Sequence, residues 1–362
     1  MIFRNFFKNK KVLITGHTGF KGSWLTLYML LSGAKVIGIS KGLVSNPSHY
    51  DSLKINNFII TKYFDISRAE KLNKVIKKYQ PDFVFHLAAQ SIVKTAYEDP
   101  VKTWSTNTIG TVNLLESLRQ LKKKCIAIIV TSDKCYENLE IKRGYHENDK
   151  LGGKDPYSAS KASADIAIRS YICSFFSHKK NRVFIVTARA GNVIGGGDWS
   201  PNRLMPDCIR SWSKSEKVLI RSPNSTRPWQ HVIEAIHGYI TLAINLNKNP
   251  SLHGEAFNFG PAAHQNYKVI SVIKLMKKYW KNISWKLYKN NNKIFKESSL
   301  LKLNSQKAKK ILKWKSVLTF KENIYLVINW YKNFYLNPKN VYKLSLSQIE
   351  LYEKILHKRA IK

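Results

Sequence analysis

The sequence predicts an α/β fold, a doubly wound parallel sheet followed by a smaller, mixed C-terminal unit. Two observations support this prediction. Short apolar runs alternate regularly with segments of helical periodicity through the first half of the chain. These runs are apolar at nearly every position, which is typical of strands that helices cover on both faces. At 362 residues, the chain is long enough for one large domain or two modest ones.

The predicted strands and helices follow one another along the chain. The first apolar run ends in Gly16, and the helix after it ends at Gly33, a residue type that suits helix ends. The predicted strands are 11–16, 34–39, 58–60, 82–87, 125–131 and 182–188. Helices are predicted through Leu31, at 67–79, from Pro100 through Leu118, around 157–161 and from Ser305 to Trp330.

The regular alternation ends at about Gly191. Two stretches rich in Gly, Pro and Asn follow, at 191–207 and 221–231, with short helices between them. This part of the chain suits a smaller unit that closes over a ligand. We predict a sheet domain over 1–190 with a returning segment at about 232–262, and a substrate-binding domain over 191–231 and 263–362.

The formal net charge is +38, and the sequence pI is about 10.0. Such a field attracts anionic partners. The lysines are scattered among Asn and Ile residues, however, and no helix-turn-helix, zinc-finger or aromatic RNA-binding motif accompanies them. Nucleic acid is therefore not expected to be the primary ligand.

The apolar runs, the N-terminal segment and the cysteines indicate the cellular compartment and the redox state of the protein. No apolar run approaches the roughly 20 residues that a membrane-spanning helix needs. The opening segment 1–7 runs into lysines and lacks the pattern of a secretory signal. The four cysteines are dispersed, so neither a zinc site nor a disulfide framework is indicated. We expect a soluble, cytoplasmic protein without membrane association.

A glycine-rich loop joins the first predicted strand to the first helix. Its sequence is Gly-His-Thr-Gly-Phe-Lys-Gly, over 16–22. Glycines there permit a tight turn and close approach of a pyrophosphate, while the helix N-terminus supplies backbone donors. The predicted cofactor contacts in this loop are Gly16, Thr18, Gly19, Phe20 and Gly22.

Further cofactor contacts are expected at the ends of later strands, where open α/β sheets bind their ligands. They are Asp65, Ile66, Leu87, Ala88 and Ala89. The acidic residue that often grips the adenosine ribose is not evident, because Ser40 and Lys41 follow the second strand. The choice between NAD and NADP is therefore open at this level.

Tyr157 and Lys161 are four residues apart on a predicted helix and so share one face. A nearby ammonium favours the ionised form of a phenol, which would make Tyr157 a base for a sugar or alcohol hydroxyl. The same spacing also occurs on ordinary solvated helix faces. Its interpretation depends on the neighbouring motifs.

Several segments together resemble the extended short-chain dehydrogenase/reductase family of nucleotide-sugar enzymes. They are 16–22, 86–90, 131–136, 157–161, 189–199 and 227–232, and the resemblance covers nearly the whole chain. Gly-Gly-Asp-Trp at 196–199 and Arg-Pro-Trp-Gln-His-Val at 227–232 resemble the branch that acts on CDP-glucose. The resemblance implies a Rossmann domain that binds NAD and a homo-oligomer.

The resemblance also implies a lyase reaction without net redox change. CDP-D-glucose would be oxidised at C4, lose water across C5 and C6, and be reduced at C6, giving a deoxy-sugar precursor of surface polysaccharide. Tyr157 would take the C4 hydroxyl proton, Lys161 would lower its pKa and hold the nicotinamide ribose, and Ser132 would bond the same oxygen. Asp133 would protonate the departing C6 hydroxyl, for which it needs a raised pKa.

Lys134 occupies the position at which related dTDP-glucose dehydratases carry a glutamate that acts on C5. A neutral, desolvated lysine would take the C5 proton, whereas a protonated one would only stabilise the enolate. A third interpretation is an ion pair between Asp133 and Lys134 at the strand end. These interpretations remain open at the level of the sequence.

Polar residues in the second half are candidates for binding a sugar diphosphate. Arg227 is the first candidate for the diphosphate, because a guanidinium forms paired hydrogen bonds with phosphate, although a surface role for each arginine is an alternative. The predicted substrate contacts are Gln90, Asn192, Asn202, Arg203, Arg221, Arg227 and His231.

Two other functions compete with the lyase. One is a dehydratase, epimerase or reductase acting on another nucleotide sugar with a dTDP, GDP or UDP carrier. The other is a non-catalytic basic binding protein on the same scaffold. Asp133 and Lys134 favour water elimination, and the intact set of Ser132, Tyr157 and Lys161 argues against a non-catalytic role. The preference for CDP rests on the resemblance alone.

Overall fold

The computed structural model describes residues 3–178, 180–262, 265–281, 283–287 and 300–360. Its strands are β1 (Lys11–Thr15), β2 (Lys35–Ser40), β3 (Ile60–Tyr63), β4 (Phe83–His86), β5 (Cys125–Val130), β6 (Val183–Ala190), β7 (Val193–Ile194), β8 (Val218–Ile220), β9 (Thr226–Arg227), β10 (Gln230–His231), β11 (Ala256–Phe259), β12 (Tyr267–Lys268) and β13 (Trp285–Leu287).

The α-helices connect and cover these strands. They are α1 (Arg4–Phe7), α2 (Phe20–Leu31), α3 (His49–Leu53), α4 (Ala69–Tyr79), α5 (Val93–Glu98), α6 (Pro100–Trp104), α7 (Gly110–Leu118), α8 (Pro156–Tyr171), α9 (Leu204–Ser213), α10 (Val232–Lys248), α11 (Val269–Tyr279), α12 (Gln306–Leu312), α13 (Phe320–Leu336) and α14 (Val341–Ala360). A π-helical turn at Ser105–Ile109 joins α6 to α7.

Seven strands form one sheet in the order β11-β6-β5-β4-β1-β2-β3, and every neighbouring pair is parallel. The predicted doubly wound α/β class is thereby confirmed. One apolar core packs α2 and α10 on the sheet, and a second packs α4, α7 and α8 on it. The strands are buried on both faces because helices lie on both sides, which explains their uniformly apolar sequences.

One predicted strand was misplaced. The prediction put the third strand at 58–60, whereas Asn56–Phe58 forms a 3₁₀ turn and β3 begins at Ile60. Phe58 is 72% exposed and therefore does not belong to the sheet core. An apolar run of three residues carries no periodicity, so its register against β2 could not be derived from the sequence.

The helix that carries Tyr157 has a strong start signal. Asp155 is the N-cap of α8, and its carboxylate accepts a hydrogen bond from the Ser158 backbone N–H at 3.0 Å. Pro156 occupies the first turn, where its missing N–H costs nothing. Tyr157 consequently lies at a well-defined helix N-terminus beside the end of β5.

Beyond β6 the chain divides between the sheet and smaller pairs of strands. β11 returns to the sheet edge beside β6, while β7 pairs with β10, β8 with β13 and β9 with β12. The C-terminal helices pack onto the main core, and the Tyr28 hydroxyl on α2 donates to Glu353 on α14. None of the helices in the described ranges is long and apolar enough to cross a membrane.

Candidate active site

The glycine loop after β1 is packed too tightly for side chains at two positions. Gly16 has φ +75°, and a Cβ there would lie 2.8 Å from the Ala88 backbone nitrogen. A Cβ at Gly22 would lie 2.0 Å from the Gly16 carbonyl oxygen. The loop therefore turns directly onto the N-terminus of α2 without side-chain bulk, which is the cradle that a dinucleotide pyrophosphate requires.

A hydroxyl cluster occupies the end of β2, where a ribose-binding carboxylate was sought. The Thr18 Oγ1 atom lies 2.5 Å from Ser40 Oγ and donates to the Gly42 carbonyl oxygen at 2.6 Å. Lys41 is exposed. The cofactor end of the cleft is thus formed by hydroxyl groups and a lysine at this strand.

The other predicted cofactor residues line the strand ends beside the loop. Asp65 is half-buried, and its Oδ1 atom accepts from the Ser67 backbone N–H at 2.9 Å. Ile66 is buried against Gly110, while the segment 87–89 is half-buried directly after β4. The structure therefore brings these predicted residues to the same edge of the sheet as the glycine loop.

Ser132, Asp133 and Lys134 follow β5 and form a 3₁₀ turn that begins at Asp133. The Ser132 Oγ atom accepts from the Lys134 backbone N–H at 3.2 Å and donates to Asp133 Oδ1 at 2.9 Å. Asp133 is 2% exposed, and Asn192 Nδ2 lies 3.4 Å from its second carboxylate oxygen. No ion pair joins Asp133 to Lys134 within the described part of the chain, so the ion-pair interpretation has no support.

Gly191 determines where the Asp133 carboxylate lies, and the sequence analysis gave it no role in the site. A Cβ at position 191 would be 1.8 Å from Asp133 Oδ2. Only glycine leaves room for the carboxylate at this strand end. The signal in the sequence was a glycine directly after the apolar run of β6, followed by an asparagine.

Tyr157 lies in the first turn of α8 and is 8% exposed. Burial raises the pKa of its phenol to about 12, while a hydrogen bond with Ser132 opposes this rise. The sequence analysis expected Lys161 to lower this pKa, and the structure corrects that expectation, because desolvation outweighs the favourable contacts. The phenol is therefore neutral in the protein alone at neutral pH.

Lys161 lies one turn further along α8 and is 5% exposed. Its Nζ atom donates to the Val130 carbonyl oxygen at 3.3 Å. Burial lowers the pKa of Lys161 to about 8, although the Asp165 carboxylate raises it. Asp165 itself is held by Arg189 through two hydrogen bonds of 3.1 and 2.7 Å, so a buried ion pair lies near the lysine.

Lys21 is a further residue of the cleft that the sequence analysis left without a role. It lies between Phe20 and Gly22 in the first turn of α2. Burial and the nearby Arg203 lower its pKa to about 8, whereas Asp133 raises it. The sequence feature that could have indicated this residue of the cleft is the position of a lysine inside the glycine loop.

Two of the predicted substrate residues face this cluster. Arg203 donates to Asp198 Oδ2 at 2.9 Å and to Ser91 Oγ at 3.1 Å, and its charge lowers the pKa of Tyr157. Asn192 contacts Asp133, as described above. The cleft therefore holds the phenol of Tyr157 near the hydrogen-bonded Ser132 and Asp133, with cationic side chains around them.

The remaining predicted substrate residues are more dispersed. Gln90 uses its amide to donate to the Ile92 carbonyl oxygen at 3.0 Å and to Thr103 Oγ1 at 2.9 Å. Arg221 is exposed and donates to Asn202 Oδ1 at 3.4 Å. Arg227 is half-buried in β9, and its guanidinium donates to the Thr226 carbonyl oxygen at 2.8 Å.

His231 was expected to contact substrate, but it is completely buried. Its Nδ1 atom accepts from the Ile233 backbone N–H at 3.3 Å and caps α10. Burial lowers the pKa of this imidazole to about 3. The residue has no exposed surface from which to contact a ligand, so its role here is to start a helix.

Curated proteins are similar to this chain over most of its length. The chain is 40% identical over 336 residues to the CDP-glucose 4,6-dehydratase of Salmonella typhimurium, covering 92% of this chain and 93% of that protein. It is 27% identical to the CDP-paratose 2-epimerase of Salmonella typhi, covering 74% of this chain and 84% of that protein.

Solved structures show the same fold at lower identity. An epimerase from Methanothermobacter thermautotrophicus superposes with a TM-score of 0.77 and 21% identity, covering 93% of this chain and 96% of that one. The dTDP-glucose 4,6-dehydratase of Bacillus anthracis, solved with NAD, superposes with a TM-score of 0.72 and 23% identity. The match covers 90% of this chain and 97% of that one. The family model for GDP-mannose 4,6 dehydratase matches residues 13–326. The chain belongs to the GDP-mannose 4,6 dehydratase family.

Proposed function

We propose that the protein is a lyase that converts CDP-D-glucose to CDP-4-dehydro-6-deoxy-D-glucose and water. The observation that carries this proposal is the grouping of three buried side chains, Tyr157, Ser132 and Asp133, in one cleft. It sets a base for alcohol oxidation beside an acid for water loss. The choice of CDP-glucose is supported by the 40% identity to a CDP-glucose 4,6-dehydratase over 92% of the chain.

The cofactor of the proposed reaction is NAD. The tight backbone of the glycine loop and the N-terminus of α2 would hold its pyrophosphate, and Lys161 would hold the ribose next to the reacting ring. Bound NAD supplies a reversible two-electron oxidation to the site. The loop fits this group, because its tight glycine turn brings the N-terminus of α2 directly after β1 without side chains at Gly16, Gly19 and Gly22.

The chain's own residues would move the protons. Tyr157 would take the proton of the C4 hydroxyl, and the resulting 4-ketone makes the C5 proton acidic. Asp133, buried against Gly191, would protonate the departing C6 hydroxyl. Lys134, half-buried on the same turn, is our candidate for the base that removes the C5 proton; in its protonated form it would instead stabilise the enolate.

The substrate would enter from the side of the smaller strand pairs. Arg203 and Asn192, which already lie at Tyr157 and Asp133, are proposed to contact the sugar. Arg221 and Arg227 are proposed to bind the diphosphate. Association into a homo-oligomer and a cytoplasmic location remain predictions from the sequence.

An isotope experiment tests the proposed reaction. We expect CDP-glucose carrying deuterium at C4 to yield a 4-keto product with deuterium at C6, without added reductant, when followed by mass spectrometry and NMR. The hydrogen moves within one bound sugar, so the label should be retained. Recovery of unchanged sugar, or of a C4 epimer, would show that the protein is not this lyase.

The glycine loop gives a separate prediction about cofactor binding. Gly22→Ala places a Cβ against the Gly16 carbonyl oxygen and should displace the turn. We expect the Kd for NAD, measured by titration calorimetry, to rise at least about tenfold, which corresponds to roughly 1.4 kcal/mol. Gly260→Ala is the matched control, because its nearest neighbour would lie at 3.6 Å, an ordinary contact. Equal affinities of both variants would contradict the assignment of the loop.

A further inference from the structure

We propose that Asp198 is a positioning residue, whose carboxylate fixes the guanidinium of Arg203 and thereby determines where the sugar of the substrate is held. This inference rests on the proposed function, in which Arg203 contacts the sugar. It extends that function by giving a role to the segment between β7 and α9. Asp198 acts through Arg203 and is not itself a catalytic residue.

The Arg203 guanidinium joins two distant segments of the chain. Its Nη1 atom donates to Asp198 Oδ2 at 2.9 Å, and its Nη2 atom donates to Ser91 Oγ at 3.1 Å. Ser91 follows the strand end 86–90, which carries predicted cofactor and substrate residues. A guanidinium has five N–H donors in one plane, so two bonds at different nitrogens define its orientation and leave other donors for a ligand. The Arg203 side chain is 33% exposed and is thus accessible to one.

Asp198 is fixed through both its side chain and its main chain. It is buried, and its Oδ1 atom accepts from the Ser200 backbone N–H at 3.1 Å, while Oδ2 accepts from Arg203. The buried Tyr331 hydroxyl on α13 donates to the Asp198 carbonyl oxygen at 2.6 Å. A buried carboxylate requires a partner of opposite charge, and Arg203 supplies it. The guanidinium is therefore attached to a well-anchored part of the fold.

The two glycines before Asp198 explain why its backbone has one position. A Cβ at Gly196 would lie 2.0 Å from Trp330 Cγ, and the Trp24 Nε1 atom donates to the Gly196 carbonyl oxygen at 2.9 Å. Gly197 has φ +81°, and a Cβ there would lie 2.5 Å from His49 Cβ. Side chains of α2, α3 and α13 therefore enclose this segment on several sides. The packing transmits the position of these helices to Asp198 and from it to Arg203.

The bridging guanidinium lies near the proposed base. Burial raises the pKa of Tyr157 to about 12, and the charge of Arg203 opposes this rise, as expected for a cation close to the phenol. A sugar whose C4 hydroxyl meets Tyr157 would thus lie beside the remaining donors of Arg203. If Arg203 loses its support, contacts with the sugar should weaken, while Tyr157 and the glycine loop stay in place.

Asp198→Asn tests the proposal with a small change of shape. Both carboxylate oxygens of Asp198 accept hydrogen bonds, whereas asparagine has one acceptor oxygen, so one of the two bonds must be lost. In the full-length chain loaded with NAD, we expect KM for CDP-glucose to rise about tenfold while kcat stays within about threefold. This split is expected because the contact with the sugar is made in the ground state and in the transition state alike.

Binding measurements separate an effect on the sugar from a general loss of structure. We expect calorimetry of Asp198→Asn to give a Kd for CDP-glucose about tenfold higher than that of wild type, and a Kd for CDP within about twofold, because CDP lacks the sugar. Glu116→Gln is the matched control, since it alters a carboxylate paired with Arg119 at 2.8 Å on the exposed side of α7. It should leave both affinities unchanged.

A double variant tests whether Asp198 acts through Arg203. Arg203→Ala alone should raise KM about tenfold or more. Adding Asp198→Asn to it should change KM by less than about twofold, because the group that Asp198 positions is already absent. Independent effects would instead multiply.

Two further variants serve if Asp198→Asn fails to fold, as judged by circular dichroism. Ser91→Ala and Tyr331→Phe each remove one hydroxyl from the ends of the same support and keep Asp198. Each should raise KM for CDP-glucose by about threefold and leave the Kd for CDP unchanged. Unaltered KM values in both variants would contradict the proposed support.

The outcomes distinguish this inference from the proposed function. Equal losses of affinity for CDP and CDP-glucose in Asp198→Asn would overturn the positioning role, as would a lower kcat at constant KM or multiplicative effects in the double variant. If wild type neither binds CDP-glucose nor forms the 4-keto-6-deoxy product, the proposed function fails instead.

Discussion

Tyr157→Phe is expected to lower kcat/KM by about 10³-fold or more while leaving NAD affinity within about twofold, because general acid–base groups contribute 10²–10⁴-fold. The hydroxyl is the group that would accept the C4 proton, and it lies 8% exposed beside Ser132. Phenylalanine keeps the ring and its packing. Initial rates of product formation and calorimetric titration with NAD measure the two quantities.

Tyr171→Phe is the matched control for this prediction. Tyr171 ends the same helix, and its hydroxyl donates to Glu116 at 3.3 Å, on the side of α8 that packs on α7. We expect this variant to keep near wild-type activity. If Tyr157→Phe retains activity, or if it unfolds as judged by circular dichroism, Tyr157 is a packing residue and the proposed base must be sought elsewhere.

The sequence predicted the sheet well because its strands are buried on both faces. A continuous apolar run between helical segments is typical of a strand buried on both faces. The strands β1, β4 and β5 accordingly lie within a residue or two of their predicted bounds. The short third run at 58–60 was misplaced, because three apolar residues do not fix a register. Sequence periodicity is informative only where it extends over several residues.

The site was harder to predict than the fold, since it depends on distances between segments far apart in the chain. The sequence indicates that Asp133 follows a strand, but not that Gly191 makes room for its carboxylate. It likewise could not show that His231 is buried. The pKa of Tyr157 was predicted in the wrong direction, because burial is a property of the fold and outweighs the spacing to Lys161.

Lys21 lies inside the glycine motif, yet the motif gives no indication that its pKa is lowered in the folded protein. The sequence analysis assigned the glycines of the loop, with Thr18 and Phe20, to the cofactor and gave the lysine among them no role. In the structure its pKa is influenced by Asp133, which follows β5, and by Asp198 and Arg203, which lie in the loop before α9. The glycine loop therefore contributes a charge to the elimination side of the cleft as well as space for a pyrophosphate.

Asp133→Asn is expected to lower formation of the 4-keto-6-deoxy product by about 10³-fold, within the range of a lost general acid. Asparagine has nearly the same shape and fits against Gly191, so the fold should be retained. Its amide cannot donate a carboxylic acid proton to the C6 hydroxyl. Elimination should stop while C4 oxidation continues at a reduced rate.

Trapping distinguishes this result from a general loss of activity. Quenching the Asp133→Asn reaction with borodeuteride should give CDP-hexose with one deuterium at C4. The 4-ketone should accumulate, because the elimination step lacks its general acid. Asp149→Asn, which alters a carboxylate paired with Arg143 outside the cleft, should behave like wild type. If Asp133→Asn yields the 6-deoxy product at the wild-type rate, Asp133 is not the acid, and the proton that removes the C6 hydroxyl must come from another group.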